Sequence, residues 1–516
     1  MKNSSLFRSS APRSRALPRV ARWALAAAVT PALVLGVTAC AGEGGGADAP
    51  QGAAAIALPF EPVASLSPFS DDALLSTRMG VAETLVRLDS DGVATPWLAE
   101  SVERPDGKTA VFTLREGVKF QDGTPMTGEA VVRSLQAAFD AASRPKGLGK
   151  KQLTFAADGN TVTVTSEVDD PVLVQRFADA GTVILSAAAY EADPSTPDVV
   201  GHATGPYTLT SVSTSKATAE AFADYWGGAP EITTLNVDFL TDGGARTNAL
   251  RGGEVNLAQA VPIAQLSSLG DVELESTPIP RGVYLHLNTA KGAFAKESVR
   301  AAAAKAISPK EIVDAVYEGH AGVAEGSLFV PDTAWAKGAG SHNTTEGAAD
   351  AAALGAEPIV LATWVERPEL GEVASLVADQ LRSAGFEVTV RVSDYNSIEK
   401  ALLDGEFDAV IGSRNYQLGA ADPVSFLQSD YSCEGSYNLS QFCDADIDAQ
   451  IAAAAEKSDM EDRFRSAAAI GAEIVGRNAV IPLAHEYSLI AYDGVEGVSF
   501  DPFERTLIVR DTHRTN

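Results

Sequence analysis

Hydrophobic and polar positions follow two different patterns in the two halves of the chain. In the first half, residues 108–115 and 161–164 alternate with a period of two beside turn sequences, which predicts hairpin strands. Between them a helix is predicted, with Val131 and Leu135 on its apolar face and its start near Thr127. The first half is therefore predicted to be the more β-rich one.

The second half instead alternates strands with helices. Ser308 and Glu311 have the spacing of a capping box, so a helix is predicted to run to Glu318 and to stop at Gly319. Apolar runs farther on predict, in order, strand 359–361, helix 373–381, strand 386–392, helix 398–403 and strand 407–411. Short joins between these elements imply right-handed parallel crossovers. An α/β lobe is predicted over residues 290–480.

Net charge narrows the possible partners. The 516 residues include 40 Lys and Arg against 68 Asp and Glu, which gives a formal net charge of −28. An acidic surface repels phosphate backbones, so nucleic-acid binding is excluded as a function. The length predicts more than one lobe, since a single domain typically has about 150 residues.

The N-terminal residues differ from the rest in charge. Residues 1–39 carry six basic side chains and no acidic one, and they include an apolar run of 15 residues with the length of a signal-peptide core. The run ends in Val-Thr-Ala-Cys40, which resembles the lipobox of bacterial lipoproteins. Residues 1–39 are therefore predicted to be a lipoprotein signal peptide, Cys40 the lipidated terminus, and residues 40–52 a flexible linker. An ordinary secretory signal is the alternative.

The other two cysteines, Cys433 and Cys443, lie ten residues apart in a polar loop. An exported protein meets an oxidising environment, which predicts a local disulfide. Closing such a loop is worth about 2–3 kcal/mol in the chain-entropy model. Metal binding is the alternative, but no histidine lies nearby in the sequence to complete a site. A structural disulfide is therefore expected.

Sequence motifs of common enzymes are missing or incomplete. There is no Gly-x-Ser-x-Gly, and His485-Glu486 begins a zinc-protease motif that Leu489 leaves unfinished. Asp89 and Asp91 imitate the start of a calcium loop but lack its later oxygen ligand and glycine, so a turn between strands is predicted. No catalytic residue, cofactor or metal ligand is predicted.

Several short segments occur in a recognisable order and spacing. They are Glu83–Gly92, Pro96–Ser101, Phe112–Thr127, Thr204–Tyr207, Asp224–Gly228, Ala249–Val255, Val299–Ala302, Gly405–Asp408, Asp422–Pro423 and Asp446–Asp448. Together they resemble the bacterial extracellular solute-binding proteins of family 5, which serve peptide- and nickel-type ABC transporters. Each segment alone is weak, whereas the ordered set is specific. Most of these residues are typical of turns and packing, so they mark the fold.

The resemblance implies an α/β, two-lobed periplasmic-binding-protein-like fold of type II, of the large cluster with an extra subdomain. In this family two crossing strands form the hinge, and the ligand is buried in the cleft between the lobes. The implied organisation is lobe I over 53–285 with a subdomain at about 72–200, lobe II over 286–485, and a return to lobe I over 486–516.

Peptide recognition in the resembled family depends on an aspartate that binds the peptide's α-ammonium group. It lies three positions before an acidic residue–proline pair, here Asp422-Pro423, so the matching position is Gly419. A buried ammonium group without a counter-charge is costly. Either Asp422 or another acid substitutes, or the ligand has no free peptide amine. Sugars, a cationic siderophore-like compound or metal chelate, and other amines become alternatives.

Candidate ligand-lining residues follow from the resemblance by position. They are Val63, Tyr284, Trp364, Asn415, Tyr416, Gln417 and Tyr487. Aromatic side chains suit such a role because they combine a large, stiff surface with a polar tip. Core packing is the alternative for each of them.

The implied function is that of an extracytoplasmic receptor of an ABC importer. It captures an oligopeptide-like or other small solute by lobe closure and delivers it to membrane permease subunits. The protein is expected to be a monomer, held by its lipid at the outer face of the cytoplasmic membrane. A ligand-sensing lipoprotein on the same fold and a secreted hydrolase are the alternatives.

Overall fold

The computed structural model describes residues 52–339, 343–345, 358–417 and 419–515. Residues 49–516 form one compact unit. The predicted signal peptide, Cys40 and most of the predicted linker lie outside the described residues. In the ranges given above, every helix is too short or too polar to span a lipid bilayer.

The strands belong to one large sheet and three small ones. They are β1 Ala53–Leu58, β2 Val86–Leu88, β3 Ala94–Pro96, β4 Ala99–Glu103, β5 Thr109–Leu114, β6 Leu153–Asp158, β7 Thr161–Ser166, β8 Tyr207–Val212, β9 Lys216–Ala221, β10 Thr234–Phe239, β11 Leu257–Gln259, β12 Glu273–Leu287, β13 Ala321–Val323, β14 Ile359–Trp364, β15 Val388–Ser393, β16 Ala409–Asn415, β17 Val480–Tyr492, β18 Val495–Glu496 and β19 His513–Arg514. The helices are α1 Ala73–Arg78, α2 Gly128–Asp140, α3 Gly243–Arg251, α4 Glu297–Ala306, α5 Pro309–Val316, α6 Pro368–Ser383, α7 Tyr395–Leu403, α8 Pro423–Asp430, α9 Ala445–Ala455 and α10 Met460–Gly476.

The predicted secondary structure is confirmed in its main elements. The two hairpin strands are β5 and β7, and α2 begins after Thr127, whose side chain accepts a hydrogen bond from the N–H of Ala130. The strand–helix alternation is β14-α6-β15-α7-β16, and β14 pairs in parallel with both other strands. The helix predicted to reach Glu318 ends earlier, at Val316, because Glu318 and Gly319 adopt left-handed backbone angles with φ of 49° and 83°.

The Asp89 segment is a turn, as predicted. One carboxylate oxygen of Asp89 accepts hydrogen bonds from the N–H groups of Asp91 and Val93, each 3.0 Å long. The turn joins β2 to β3, which pair antiparallel. An aspartate that binds its own backbone in this way sets the turn geometry.

One mixed sheet extends through both lobes, in the strand order β15-β14-β16-β12-β17-β11-β1-β10-β9-β8, with β13 added beside β17. A separate antiparallel sheet, β4-β5-β7-β6, packs against α2 and belongs to the β-rich first half. The family-implied two-lobed α/β fold is therefore the observed one.

The two lobes are joined by the long strands β12 and β17. Residues 273–278 of β12 pair with residues 487–492 of β17 beside β11, whereas residues 281–287 of β12 pair with β16. Pro278 ends the first part, Pro280 lies between the two parts, and the register of β12 and β17 shifts between Pro278 and Gly282. Proline cannot donate a ladder hydrogen bond. The hydrogen-bond ladder is consequently interrupted where the strands pass from one lobe to the other.

The apolar cores divide in the same way. One core collects side chains of residues 54–257 together with 490–508, and a smaller one collects residues on β1, α3, β11 and β17. Two further cores are built from residues 283–484. The boundaries of the lobes and of the 72–200 subdomain stay predictions.

Candidate ligand cleft

Two sets of parallel strands, one in each lobe, end on opposite sides of the interrupted part of β12 and β17. In lobe I, β1 runs parallel to β10 and β11, and β11 ends at Gln259 opposite Ile490 of β17. In lobe II, β16 ends at Asn415 opposite Arg281 of β12. Ligands of open α/β sheets bind outside the carboxyl ends of parallel strands. We call the space between these two sets of strand ends the hinge cleft.

Exposed apolar side chains lie just beyond the strand ends. Phe60 and Val63 follow β1 and are 59% and 81% exposed, and Val365 follows β14 and is 53% exposed. The backbone around Val63 is fixed by Asp72, whose carboxylate accepts hydrogen bonds from the N–H groups of Val63 and Ala64 at 2.9 and 2.6 Å. The loop therefore presents the Val63 side chain to solvent from a held backbone.

A buried carboxylate lies at the interrupted part of β12 and β17. Glu486 of β17 accepts a hydrogen bond from Arg367 at 2.9 Å and from the Ser413 hydroxyl at 3.0 Å. The Nε of Arg281 lies 3.7 Å from the same carboxylate. Arg367 follows β14, Ser413 lies on β16 and Arg281 on β12, so four elements meet at this side chain. We call these four residues the Glu486 cluster.

Burial is the largest influence on the pKa values of Glu486 and Arg281. It raises the pKa of the Glu486 carboxyl group, although Arg367 and Arg281 act in the opposite direction. Burial also lowers the pKa of the Arg281 guanidinium, which Glu486 opposes. At both groups, the opposite charge nearby partly offsets the effect of burial on the pKa.

The lobe II wall beside the cluster is built from Arg414 and Asp430. Two nitrogens of Arg414 donate to the two carboxylate oxygens of Asp430 at 2.6 and 2.9 Å. The guanidinium also lies over the ring of Tyr437, 3.8 Å from its centre. Because both its charge and its face are occupied, Arg414 acts as a fixed part of the wall.

Tyr284, Trp364 and Tyr416, three of the predicted lining residues, are buried in lobe II cores. The hydroxyl of Tyr284 donates to the carbonyl of Leu328 at 2.6 Å, and the hydroxyl of Tyr416 accepts from the N–H of Val330 at 3.0 Å. Their contacts described here are therefore packing contacts, and a ligand-lining role for them stays a prediction.

The other predicted lining residues lie nearer to the strand ends. Asn415 accepts a hydrogen bond from the N–H of Gln417 at 2.9 Å, and Tyr487 is half-buried on β17. The amide of Gln417 packs directly against Gly92 of lobe I, because a Cβ atom at Gly92 would lie 2.6 Å from it. Gln417 thus contacts the opposite lobe. Their roles toward a ligand also stay predictions.

The Gly419 position faces lobe I. Its φ is 65°, and its carbonyl accepts a hydrogen bond from Arg505 at 3.1 Å. A Cβ atom there would lie 3.6 Å from the carbonyl of Lys146. Asp422, considered above as a substitute for the missing aspartate, is not available for that role: it is buried and binds Arg463 through both oxygens, at 2.8 and 2.7 Å.

Cys433 and Cys443 are joined by a disulfide. The N–H of Cys433 donates to Asp448 on α9, which ties the closed loop to that helix. In the described part of the chain, no three His, Cys, Asp or Glu side chains converge closely enough to hold a metal ion.

The residues of the Glu486 cluster were missed by sequence reasoning, which treated Glu486 only as part of an unfinished zinc motif. The available signal was one carboxylate in the run from Val480 to Ala491, which is mostly apolar apart from His485 and Ser488. A buried acid in such a strand requires a partner, but the sequence does not say which arginine supplies it.

A cavity of about 470 Å³ lies apart from the hinge cleft, within lobe I. Its lining includes Glu83, Arg87, Trp97, Tyr225 and Arg505. The Glu83 carboxylate accepts hydrogen bonds from Trp97 and Tyr225, each 2.8 Å long, and from Trp226 at 3.2 Å. The volume is that of a small-ligand site, but the acid within it is already satisfied by its own lobe.

Comparison with known proteins agrees with this architecture. Residues 93–438 match the family model described as bacterial extracellular solute-binding proteins, family 5 middle. The chain belongs to this family. The resemblance stated from the sequence segments is thereby confirmed, and with it the extracytoplasmic solute-binding class.

Two curated relatives and one solved structure illustrate the range of the family. The nickel-binding protein NikA of Staphylococcus aureus is 26% identical over 431 residues, which cover 79% of this chain and 83% of that protein. The glutathione-binding protein GsiB of Escherichia coli is 30% identical over 284 residues, 53% of this chain and 55% of that protein. A nickel ABC transporter structure from Bacillus halodurans superimposes with a TM-score of 0.75 at 24% identity, covering 89% of this chain and 99% of that one. This last likeness shows the fold.

Proposed function

We propose that this family 5 protein captures a small solute in the hinge cleft by lobe closure and delivers it to the permease of an ABC importer. The observation that supports this most is the cleft itself. Two sets of strand ends meet there at an interrupted pair of connecting strands, and two arginines and a serine from three other elements converge on Glu486. This arrangement combines a ligand position with the backbone that bends when the lobes close.

Contacts between the lobes away from the connecting strands support closure. The Asp91 carboxylate accepts a hydrogen bond from the N–H of Ala334 at 3.1 Å, and its carbonyl accepts one from the indole of Trp335 at 3.0 Å. Val93 of the same turn packs against the lobe II core that contains Trp335. The turn between β2 and β3 is thus a docking point for lobe II, and we call it the Asp91 turn.

The solute is an oligopeptide-like compound or a metal chelate of similar size. Relatives are described as binding nickel and glutathione, which places both chemistries within the family's range. A peptide would be held without the usual aspartate, because Gly419 replaces it and Asp422 is engaged by Arg463. Neutral solutes such as sugars are the alternative, and a ligand screen distinguishes them from peptides and metal chelates.

The receptor is exported and held at the membrane by a lipid on Cys40, as a monomer that docks on its permease. The lipobox-like sequence and the linker after it support this part of the proposal. Metabolic labelling with an alkyne-tagged fatty acid tests it. Label is expected on the wild-type chain, and none is expected on Cys40→Ser, which should be released from the membrane. Label on the variant would contradict anchoring at this residue.

A thermal-shift screen combined with an import assay tests transport. Peptides, amino-acid–nickel chelates and sugars are screened against the soluble chain that starts at Ala41, and a hit is expected to stabilise it. At a hundredfold excess over Kd the gain is about 2.7 kcal/mol. Uptake of the same solute should fail in a deletion strain. Uptake at the wild-type rate, with no stabilising solute, would refute the receptor function; stabilisation without loss of uptake would indicate sensing.

A further inference from the structure

Arg281 differs from the other shielded arginines of the described structure in what its guanidinium binds. Its side chain is 29% exposed, and its closest acceptor is Glu486 at 3.7 Å, which is beyond hydrogen-bond distance. It makes no hydrogen bond to any described residue, and it stacks on none of the described aromatic rings. A guanidinium has five N–H donors, so Arg281 retains most of its binding capacity.

Other arginines, which are more deeply buried than Arg281, have their donors occupied. Arg246 donates to four backbone carbonyls at 2.6–3.1 Å. Arg463 binds both oxygens of Asp422 as well as backbone carbonyls. Arg176 binds both oxygens of Asp170. These arginines stabilise the fold, whereas Arg281 has no such set of partners.

The carboxylates around Arg281 are hydrogen-bonded by side chains other than Arg281. Glu486 is shared by Arg281 and Arg367, and Arg367 has the better geometry, with hydrogen bonds to Glu486 and to Glu369 at 2.9 and 2.7 Å. Arg414 is neutralised by Asp430, and Arg78 is paired with Glu504 at 3.9 Å. Arg281 is therefore a cation held in place, but not hydrogen-bonded, by Glu486.

The position of Arg281 is that of a ligand contact. It lies opposite Asn415, the last residue of β16, and directly after the Pro278–Pro280 interruption of the connecting strands. Glu504, which follows β17, and Arg414 of β16 both lie near enough to influence its pKa. A ligand bound between the strand ends would therefore meet its guanidinium.

We propose that Arg281 binds a carboxylate group of the transported solute. The assignment rests on the proposed function and adds the chemical class of the ligand: a solute with a free carboxylate, whether a peptide or an amino acid that chelates a metal. Charge-assisted, bidentate binding of a carboxylate is the interaction that a guanidinium forms best. Glu486 and Arg367 position Arg281 and are not required to touch the carboxylate.

Matched pairs of probes test this assignment. The first pair is L-alanyl-L-alanine and its C-terminal amide, and the second is nickel with L-histidine or with L-histidinamide. Each is titrated into the chain starting at Ala41, into Arg281→Gln and into the control Arg251→Gln, which removes an exposed arginine of α3. Melting temperature and Kd are measured for each.

The carboxylate member of at least one pair is expected to bind about tenfold or more tightly than its amide. Arg281→Gln should remove that difference, and Arg251→Gln should keep it. Equal binding of acid and amide, or an unchanged preference in Arg281→Gln, would overturn the assignment. Stabilisation by sugars alone would also overturn the assignment of Arg281, but it would not contradict the receptor function. Absence of any stabilising solute, with normal import, would instead refute the receptor function itself.

Discussion

Two buried glutamates, one in the lobe I cavity and one in the hinge cleft, show how the same side chain serves different purposes. Glu83 in the lobe I cavity accepts hydrogen bonds from two indoles and a phenol, and Arg87 lies beside it with its guanidinium over the Trp97 ring, 3.1 Å from the ring centre. Glu486 in the hinge cleft is bound by Arg367 and Ser413 but leaves Arg281 without a hydrogen bond. In the lobe I cavity the carboxylate is hydrogen-bonded by donors of its own lobe. In the hinge cleft the guanidinium of Arg281 keeps unused donors.

The difference indicates which buried charge stabilises the fold and which prepares a site. The donors around Glu83 come from one lobe and need no ligand. Those around Glu486 come from three elements, β12, β16 and the segment after β14, beside the interrupted part of the connecting strands. The cavity of about 470 Å³ therefore belongs to the site whose carboxylate is already hydrogen-bonded, so cavity volume alone is not a sufficient guide to the binding region.

The largest expected effect is on stability at Glu83. Glu83→Leu leaves Trp97, Trp226 and Tyr225 without an acceptor and Arg87 without its counter-charge. The free energy of unfolding should fall by about 3–5 kcal/mol, as for other broken buried charge networks. Urea denaturation measures this, with the exposed Glu103→Leu as control. Solute affinity of the folded variant should stay unchanged, and a selective loss of affinity would contradict the comparison.

At Glu486 we expect a smaller loss of stability than at Glu83 and a larger loss of solute affinity. Glu486→Gln keeps the shape of the side chain but removes the charge that holds Arg367 and Arg281, so the unfolding free energy should fall by only about 1–3 kcal/mol. Solute affinity should weaken clearly, because the two arginines lose their orientation. Calorimetric titration with a solute found in the screen measures it, and Glu496→Gln is the exposed control. Unchanged affinity would show that Glu486 is only structural.

These two predictions mark what the sequence could and could not supply. Period-two and helical patterns predicted the β14–β16 unit and α2 because local burial determines them. The Glu486 cluster joins residues far apart in the chain, with Arg367 119 residues before Glu486. Nothing local to either residue indicates that pairing, so only the assembled sheet reveals it.

Aromatic residues illustrate the same limit. Tyr284 and Tyr487 both lie on connecting strands, yet one is fully buried with its hydroxyl on Leu328 and the other is half-buried. A tyrosine in a strand fits a core or a cleft equally well, since it is apolar with a polar tip. The distinction depends on which face the neighbouring lobe covers.

A smaller effect is expected when pH is varied. Burial raises the pKa of Glu486, so the folded state binds more protons than the unfolded state at pH values just above the ordinary pKa of 4.5. The contribution of this group to stability is therefore greatest at low pH and declines as pH rises through the folded-state pKa. Wild type should gain stability relative to Glu486→Gln between pH 7 and pH 5 in urea denaturation. Parallel pH profiles would contradict the raised pKa.

The smallest effect concerns the Asp91 turn. Asp91→Ala removes the hydrogen bond to Ala334 and should disfavour the closed arrangement by about 1 kcal/mol. Small-angle X-ray scattering of the ligand-free chain should then give a larger radius of gyration than wild type. The exposed Asp71→Ala is the control. Identical scattering curves for all three proteins would show that this turn does not hold the lobes together.

The most direct test of solute capture is native mass spectrometry of the chain starting at Ala41, purified without added ligand. One small solute bearing a free carboxylate is expected on each wild-type chain, released on unfolding, and lost or much reduced in Arg281→Gln but not in Arg251→Gln. A bound solute that lacks a carboxylate and persists in Arg281→Gln would contradict the assignment of Arg281. A wild-type chain that carries no solute, and takes up none from a cell extract, would contradict the receptor account.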